Sequence, residues 1–379
     1  MPETPQNQVS IPRYRSDELP KRRLSAVVYC EGNFGKIDGK TANGLVRHSE
    51  LYEISSVIDS EKAGLDAGAI LSGQPNAIPI CRDIAEAVEH AGAVPDTFIY
   101  GVAPDSGLLA SHERPVIREA INLGMNIVAG LHEFLSEDAE FAALSAERNV
   151  SILDVRKPPP RRELSTFTGR IHAVSCPRIA VLGTDCAIGK RTTAIILNQA
   201  LKSYGLNSVL IGTGQTSLIQ GVRYGVALDA IPAQFCAGAL EAAIVNAYQC
   251  EEPDVIVIEG QGALSHPAFS TSSFILRGGC PHGVVLQHAP GRHTRCDFEQ
   301  MRMPTVESEI NLIETFAQTK VIGLGINHEH LTPSEVLVEI EKCQAKLGIP
   351  ATDPLTMSPG RLVDMVISVF PSLRINSSV

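Results

Sequence analysis

The chain has 379 residues, 44% of them hydrophobic and 20% charged, with a formal net charge of −10. At roughly 100–200 residues per domain this length holds two domains, or at most three, and the composition is that of a globular protein, not a disordered or fibrous one. The acidic balance argues against a nucleic-acid binder, no apolar run approaches the ~18–20 residues of a membrane helix, and Met1 to Pro20 lacks the apolar centre of a secretory signal.

Residues 1–22 read as a loose tail. Leu24 to Cys30 is an apolar run with the look of a buried strand. A polar, Gly-rich loop follows from Glu31 to Gly44. Tyr52 to Ile58 is a second strand, Arg82 to Ala91 has helical spacing, and Thr97 to Val102 is a strand. Pro115 to Leu123 is a helix with Pro at its start, Met125 to Ala129 a strand, Glu137 to Ala146 a helix and Val150 to Val155 a strand. Strands alternating with helices imply a mostly parallel, doubly wound sheet, so residues 23–156 form a first, Rossmann-like domain. Residues 157–174, opening on Lys157-Pro-Pro-Pro-Arg-Arg162, read as a Pro-rich linker. From 175 to 379 the alternation resumes. The strands are Arg178 to Leu182, Ser208 to Gly212, Asp254 to Ile258, Gly283 to Gln287 and Lys320 to Ile326. The helices are Lys190 to Tyr204, Phe235 to Gln249, Pro333 to Leu347 with a Thr332 cap, and Arg361 to Phe370. The fold class is therefore α/β, with two doubly wound domains. Nine scattered cysteines, odd in number and never spaced Cys-x-x-Cys, argue against a disulfide framework and for a reducing cytoplasm. No nucleic-acid or membrane partner is expected, and the chain is expected to be a homo-oligomer.

The strongest local signal is Ile179-Ala-Val-Leu-Gly-Thr-Asp-Cys-Ala-Ile-Gly-Lys-Arg-Thr-Thr193. An apolar strand enters a loop bounded by Gly183 and Gly189, and Lys190 opens a helix. Glycines let backbone N–H groups turn toward an anion, the helix N-terminus adds partial positive charge, and Lys190 adds a full one. Residues Gly183, Thr184, Asp185, Cys186, Ala187, Ile188, Gly189, Lys190, Arg191, Thr192 and Thr193 are thus the expected cofactor-binding set of a P-loop. Two features depart from the usual form. Five residues separate the glycines instead of four, and Arg191 stands where a Ser or Thr hydroxyl normally binds Mg²⁺. A second signal is Asp254-Val-Ile-Val-Ile-Glu-Gly-Gln-Gly262, where a buried strand delivers Glu259 to its carboxyl end. Ligands of open α/β sheets bind beyond such ends, and Glu259 is suited to bind Mg²⁺ or to accept a proton.

Gly183 to Lys190 together with Glu259-Gly-Gln-Gly262 resembles dethiobiotin synthetase and its P-loop relatives, which share the five-residue spacing. A closer resemblance covers nearly the whole chain. Tyr29-Cys-Glu-Gly-Asn-Phe-Gly-Lys36, Asp38-Gly-Lys-Thr-Ala-Asn-Gly-Leu-Val-Arg47, the P-loop, Gly212-Thr-Gly-Gln-Thr216 and Glu259-Gly-Gln-Gly-Ala-Leu-Ser-His-Pro267 resemble the D-glutamate N-acetyltransferase-like family, long known as a domain of unknown function. That resemblance implies a Rossmann-like domain followed by a P-loop NTPase-like domain. It also implies transfer of acetyl from acetyl-CoA to the amine of D-glutamate, with the P-loop holding CoA phosphates. In the dethiobiotin synthetase class an Asn at the place of Asn327 reads adenine, so the resemblance assigns Asn327 to the cofactor.

Other residues carry expectations of their own. Lys40 and Arg47 are suited to hold the carboxylates of an amino-dicarboxylic substrate, Arg by a bidentate fork. Gln215 follows the strand after the P-loop helix and is placed to reach the phosphoanhydride or the acyl group. Arg292, in His288-Ala-Pro-Gly-Arg292, follows a buried strand and is a candidate partner for phosphate or carboxylate. His266 has the pKa range of a general base, so Glu259 and His266 are the catalytic candidates. The cluster from Cys280 to Asp297 lacks zinc-like spacing, and no metal is expected unless Glu259 binds Mg²⁺ with ATP. Three functions stay open: an acetyl-CoA-dependent N-acetyltransferase acting on a small acidic amino acid, a Mg-ATP-dependent ligase or kinase, and a non-catalytic nucleotide-binding regulator. Arg191 argues against the second.

Overall fold

The computed structural model describes residues 22–374, so the tail expected at 1–22 lies, apart from Arg22, outside the described residues. The chain forms two compact units. The first contains residues 22–161 and Gln215–Val222, and the second Arg162–Gly214 and residues 223–374.

In the first unit the strands are β1 (Leu24–Tyr29), β2 (Tyr52–Ile58), β3 (Ile80–Cys81), β4 (Thr97–Tyr100), β5 (Asn126–Ala129) and β6 (Ile152–Asp154). They make one parallel sheet in the order β3-β2-β1-β4-β5-β6, that of a dinucleotide-binding fold. Val27, Val28, Phe98, Ile99 and Ile127 are fully buried at its centre, as a sheet covered on both faces requires. The helices are α1 (Lys40–Arg47), α2 (Ala67–Ser72), α3 (Ile84–Ala91), α4 (Arg114–Asn122) and α5 (Ala139–Arg148). Asp66, Asp83 and Asp138 cap α2, α3 and α5 by accepting from first-turn N–H groups. Helix α1 begins inside the stretch read as a loop from sequence. Thr41, Asn43 and Gly44 are weak helix formers, and the helix owes its form to burial of every residue from Thr41 to Val46.

In the second unit the strands are β7 (Arg178–Gly183), β8 (Ser208–Gly212), β9 (Tyr224–Gly225), β10 (Val255–Glu259), β11 (Gly283–His288), β12 (Thr294–Arg295), β13 (Phe298–Arg302), β14 (Lys320–Ile326) and β15 (Ala351–Thr352). Seven form a parallel sheet, β15-β14-β11-β7-β10-β8-β9, and β12 pairs with β13 as a separate antiparallel hairpin. The helices are α6 (Lys190–Ser203), α8 (Ala233–Glu251), α9 (Thr271–Gly279), α10 (Val306–Phe316), α11 (Pro333–Leu347) and α12 (Gly360–Val369). Apolar cores lie on both sheet faces, one around Leu240, Ile256 and Leu286 and the other around Ile179, Val257 and Met365. Helices α9 and α10, the hairpin and the short edge strands were not anticipated from the sequence. Two-residue strands leave no period to read, whereas α10 does carry a helical one, with Val306, Ile310 and Ile313 turned to the core.

Two stretches change their assignment. Residues 162–174, expected as linker, belong to the second unit. Ile171 is fully buried, and the Glu241 carboxylate accepts from Thr168 N (2.7 Å), Thr168 Oγ1 (2.8 Å) and Ile171 N (3.1 Å). After β8 the chain passes into the first unit as helix α7 (Gln215–Ile219) and returns by Arg223. There Thr216 Oγ1 and Thr41 Oγ1 lie 3.0 Å apart, and Gln220 Nε2 donates to the Gly44 and His48 carbonyls.

Candidate functional site: a phosphate loop braced by acids and arginines

Strand β7 lies between β10 and β11 and runs into the loop Thr184–Gly189. Two glycines make its path possible. A Cβ on Gly183 would meet Ile188 Cδ1 at 2.8 Å and Lys190 Cδ at 3.0 Å, and Gly189 has φ +97°, a region that L side chains avoid. Thr184 N donates to the Gln287 carbonyl (3.0 Å), fixing the loop's entrance to β11. Lys190 is buried, and its Nζ donates to the Asp185 carbonyl inside the loop. Burial pulls its pKa down, so an anion in the loop would relieve the desolvated ammonium.

Asp185 is fully buried and shapes the far side of the loop. Its Oδ2 accepts from Cys296 N (2.7 Å) and Arg292 Nη1 (3.1 Å). Arg292 Nη1 also donates to the Cys186 carbonyl (2.8 Å), and its Nη2 to Glu329 Oε2 (2.7 Å). Arg292, expected to meet a ligand's phosphate or carboxylate, grips the loop itself. Arg295, buried beside it, donates from Nη2 to Ser265 Oγ (2.8 Å) and places Nη1 3.9 Å from Asp185 Oδ1.

His266 sits below the loop, stacked on Phe269 with ring centroids 4.8 Å apart. Its side chain is completely buried, and burial lowers its pKa while Asp185 acts in the opposite sense. Ala268 N donates to its Nδ1 (3.2 Å), so the neutral ring carries its proton on Nε2. That Nε2 faces Asp185 Oδ1 at 3.7 Å, and neither atom has a hydrogen-bond partner. Asp185, Cys186 and His266 bring ligand atoms within 4.8 Å of one another. The set suits a resident cation poorly. A metal-bound histidine donates its second N–H, whereas Nδ1 here accepts one, and two guanidinium groups flank Asp185.

Glu259 ends β10, in register with Val181 of β7. Its Oε2 accepts from Thr213 N (2.8 Å) and Gly214 N (3.3 Å). Thr193 Oγ1 donates to Gln287 Oε1 (2.8 Å). Asn327 also turns toward the loop, with Nδ2 donating to the Ile188 carbonyl (3.2 Å) while Oδ1 accepts from Glu329 N (2.8 Å). The groups that would hold Mg²⁺ in a nucleotide hydrolase are thus bonded to protein: Asp185 to Cys296 and Arg292, Glu259 to backbone, Thr193 to Gln287. Arg191 replaces the remaining hydroxyl.

The remaining site candidates lie in the first unit. Lys40 and Arg47 stand at opposite ends of α1, about 10 Å apart along a helix rising ~1.5 Å per residue. Arg47 is exposed, and its Nη2 makes a long bond to the Leu71 carbonyl (3.4 Å). The Gln215 side chain accepts from Arg156 Nη2 (2.9 Å), and Arg156 also holds the Gly130 carbonyl. Asp59, at the end of β2, accepts from Gly32 N (3.2 Å), Phe34 N (3.1 Å) and Lys62 Nζ (3.0 Å).

Two family models match the sequence, a Rossmann-like domain of unknown function (DUF1611_N) over residues 60–158 and a P-loop domain of unknown function (DUF1611_C) over 165–363. The chain belongs to the DUF1611 family. Its similar proteins include a D-glutamate N-acetyltransferase of a Pseudoalteromonas species, 35% identical over 266 residues, covering 68% of this chain and 77% of that protein. Another D-glutamate N-acetyltransferase, from Tritonibacter scottomollicae, is 30% identical over 291 residues, covering 75% and 84%. The crystal structure of a DUF1611 family protein from Anabaena variabilis superposes with a TM-score of 0.84 at 31% identity, covering 91% of this chain and all of the other. In this DUF1611 chain, Arg295, Gln287 and Glu329 were missed by sequence reasoning. Only Gln287 carried a signal, a polar residue near the end of an apolar strand. Arg295 reaches the loop from 110 or more positions away, Glu329 acts on it through Arg292, 37 positions off, and neither leaves a local trace.

Proposed function

We propose that this protein is an acetyl-CoA-dependent N-acetyltransferase whose acceptor is the amine of a small acidic amino acid, D-glutamate first among them. The observation that carries the reading is the match, over most of the chain, to two proteins named for that activity. The loop geometry supports it: backbone N–H groups and Lys190 form an anion cradle suited to a pyrophosphate. In the reaction the neutral amine attacks the thioester carbonyl. The C–N bond forms, the C–S bond breaks, and the thiolate leaves to take up a proton. The ammonium proton must first go to a base. Glu259 is the better placed of the two candidates, because the Nδ1 lone pair of His266 is already bonded to Ala268 and its Nε2 holds a proton. Backbone N–H donors would stabilise the tetrahedral oxyanion; losing one such donor typically costs ~2.7–4 kcal/mol.

Incubation with D- or L-glutamate and either acetyl-CoA or Mg-ATP, followed by mass spectrometry, tests this reading. The expected product is N-acetyl-D-glutamate, formed with acetyl-CoA alone and undiminished in excess chelator. Product formed only with Mg-ATP, or turnover abolished by chelator and restored by Mg²⁺, overturns it.

A further inference from the structure

We propose that a cleft beside the phosphate loop is the subsite for the 3′-phosphoadenosine end of the donor. The proposal rests on the reading of that donor as a coenzyme A thioester. The cleft, about 580 Å³, is walled by the β12–β13 hairpin, the start of α10 and the second half of α11, and falls within the ~300–1,000 Å³ typical of small-molecule sites.

Its charge is the first argument. Arg292, Arg302, Lys342 and Lys346 line it against two carboxylates, Glu307 and Glu339, in a chain whose net charge is −10. Lys342 Nζ bonds Glu339 (2.9 Å) and Lys346 Nζ bonds Glu307, so both ammonium groups are held at the wall. Arg302 has no ion pair among the described residues and is exposed. With Arg292 already paired to Asp185 and Glu329, Arg302 is the lining cation left for a ligand, and a phosphate monoester, with close to two negative charges at neutral pH, would also draw on the ammonium groups of Lys342 and Lys346. Met303, Pro304 and Leu347 supply an apolar wall for a purine ring.

Position is the second argument. In coenzyme A the 3′-phosphate sits on the ribose that carries the pyrophosphate, so its subsite must adjoin the cradle that holds the pyrophosphate. Arg292 is the shared wall, lining the cleft while its guanidinium bonds Asp185 and the Cys186 carbonyl of the loop. His288, also in the lining, is 2.9 Å from Thr184 Oγ1. The other adenine candidate, Asn327, has both side-chain groups bonded to the loop and its neighbour. A subsite that reads the 3′-phosphate also separates coenzyme A from ATP, which lacks it.

The test compares acetyl-CoA with acetyl-dephospho-CoA, which differs only in that phosphate, in wild type and in the double variant Arg302→Ala, Lys346→Ala. Wild type should prefer acetyl-CoA, and the variant should raise KM for acetyl-CoA about tenfold, as for loss of charge-assisted hydrogen bonds, with KM for acetyl-dephospho-CoA unchanged. Lys346→Arg should restore part of the preference. A wild type indifferent to the phosphate, or a variant that keeps the preference, overturns the subsite. Should neither donor be used, the acetyltransferase reading fails, and calorimetry with adenosine 3′,5′-bisphosphate still decides the cleft. Binding lost in the variant supports it, and equal binding removes it. Circular dichroism and thermal unfolding establish that the variants are folded.

Discussion

Lys190 spans two environments, its stem buried under the loop and its ammonium on the Asp185 carbonyl. A phosphate would replace that carbonyl as partner, so Lys190→Ala should weaken acetyl-CoA binding by roughly 1.5–3 kcal/mol, the range for a charge-assisted hydrogen bond. Equal affinity of wild type and variant in titration calorimetry would remove the loop from the donor site. His288 gives a second expectation. Burial pushes its pKa down to about 4, against ~6.5 in an unfolded chain. The unfolded chain therefore takes the proton first, and the stability contributed is complete above pH ~6.5 and lost as pH falls toward 4. Glu339 and Glu307 oppose the shift and Lys342 adds to it. His288→Asn, which keeps a polar atom near Thr184, should flatten the dependence of the unfolding free energy on pH between 4 and 6.5 by on the order of 1–3 kcal/mol. An unchanged slope would mean that the ring is not held neutral.

At the scale of elements, the site is a set of strand ends tied to one loop. Glu259 at the end of β10 accepts from the two amides that follow β8, and Gln287 at the end of β11 holds both Thr184 and Thr193. Anchor and base are separable roles for Glu259. Glu259→Gln keeps an acceptor for Thr213 and Gly214, whereas Glu259→Ala removes that acceptor from the buried loop, at ~1–3 kcal/mol for a lost buried hydrogen bond. If Glu259 takes the ammonium proton, Glu259→Gln should lower kcat at least a hundredfold, within the ~10²–10⁴ typical of a general base, with Tm little changed. Stability lost in Glu259→Ala with full kcat in Glu259→Gln would leave it an anchor alone.

At the scale of the whole molecule, the chain does not traverse its two units once each. Helix α7 leaves the second unit's sequence to pack in the first, against α1. Helix α1 ends in Arg47, whose exposed guanidinium makes one long bond. A planar fork of that kind suits a carboxylate. Arg47→Ala should raise KM for the amino acid several-fold and leave KM for acetyl-CoA as it is. Steady-state kinetics with each substrate varied in turn checks this, and a change confined to acetyl-CoA would instead assign Arg47 to the donor.

The sequence by itself determined the α/β class, the succession of central strands and the phosphate loop. Each depends on residues within about fifteen positions: an apolar run for a strand, Gly183 and Gly189 for a turn, Lys190 at a helix start. What the acids and histidine of the loop do was decided only by tertiary structure. Asp185 meets Arg292 across 107 positions, His266 accepts from the backbone at Ala268 and is buried, and Glu259 accepts from amides 46 and 45 residues away. The same holds for α1 and for residues 162–174, which have weak local preference and take their form from what buries them. Local propensity is carried by neighbours in sequence, whereas hydrogen-bond partnership and desolvation are set by neighbours in space.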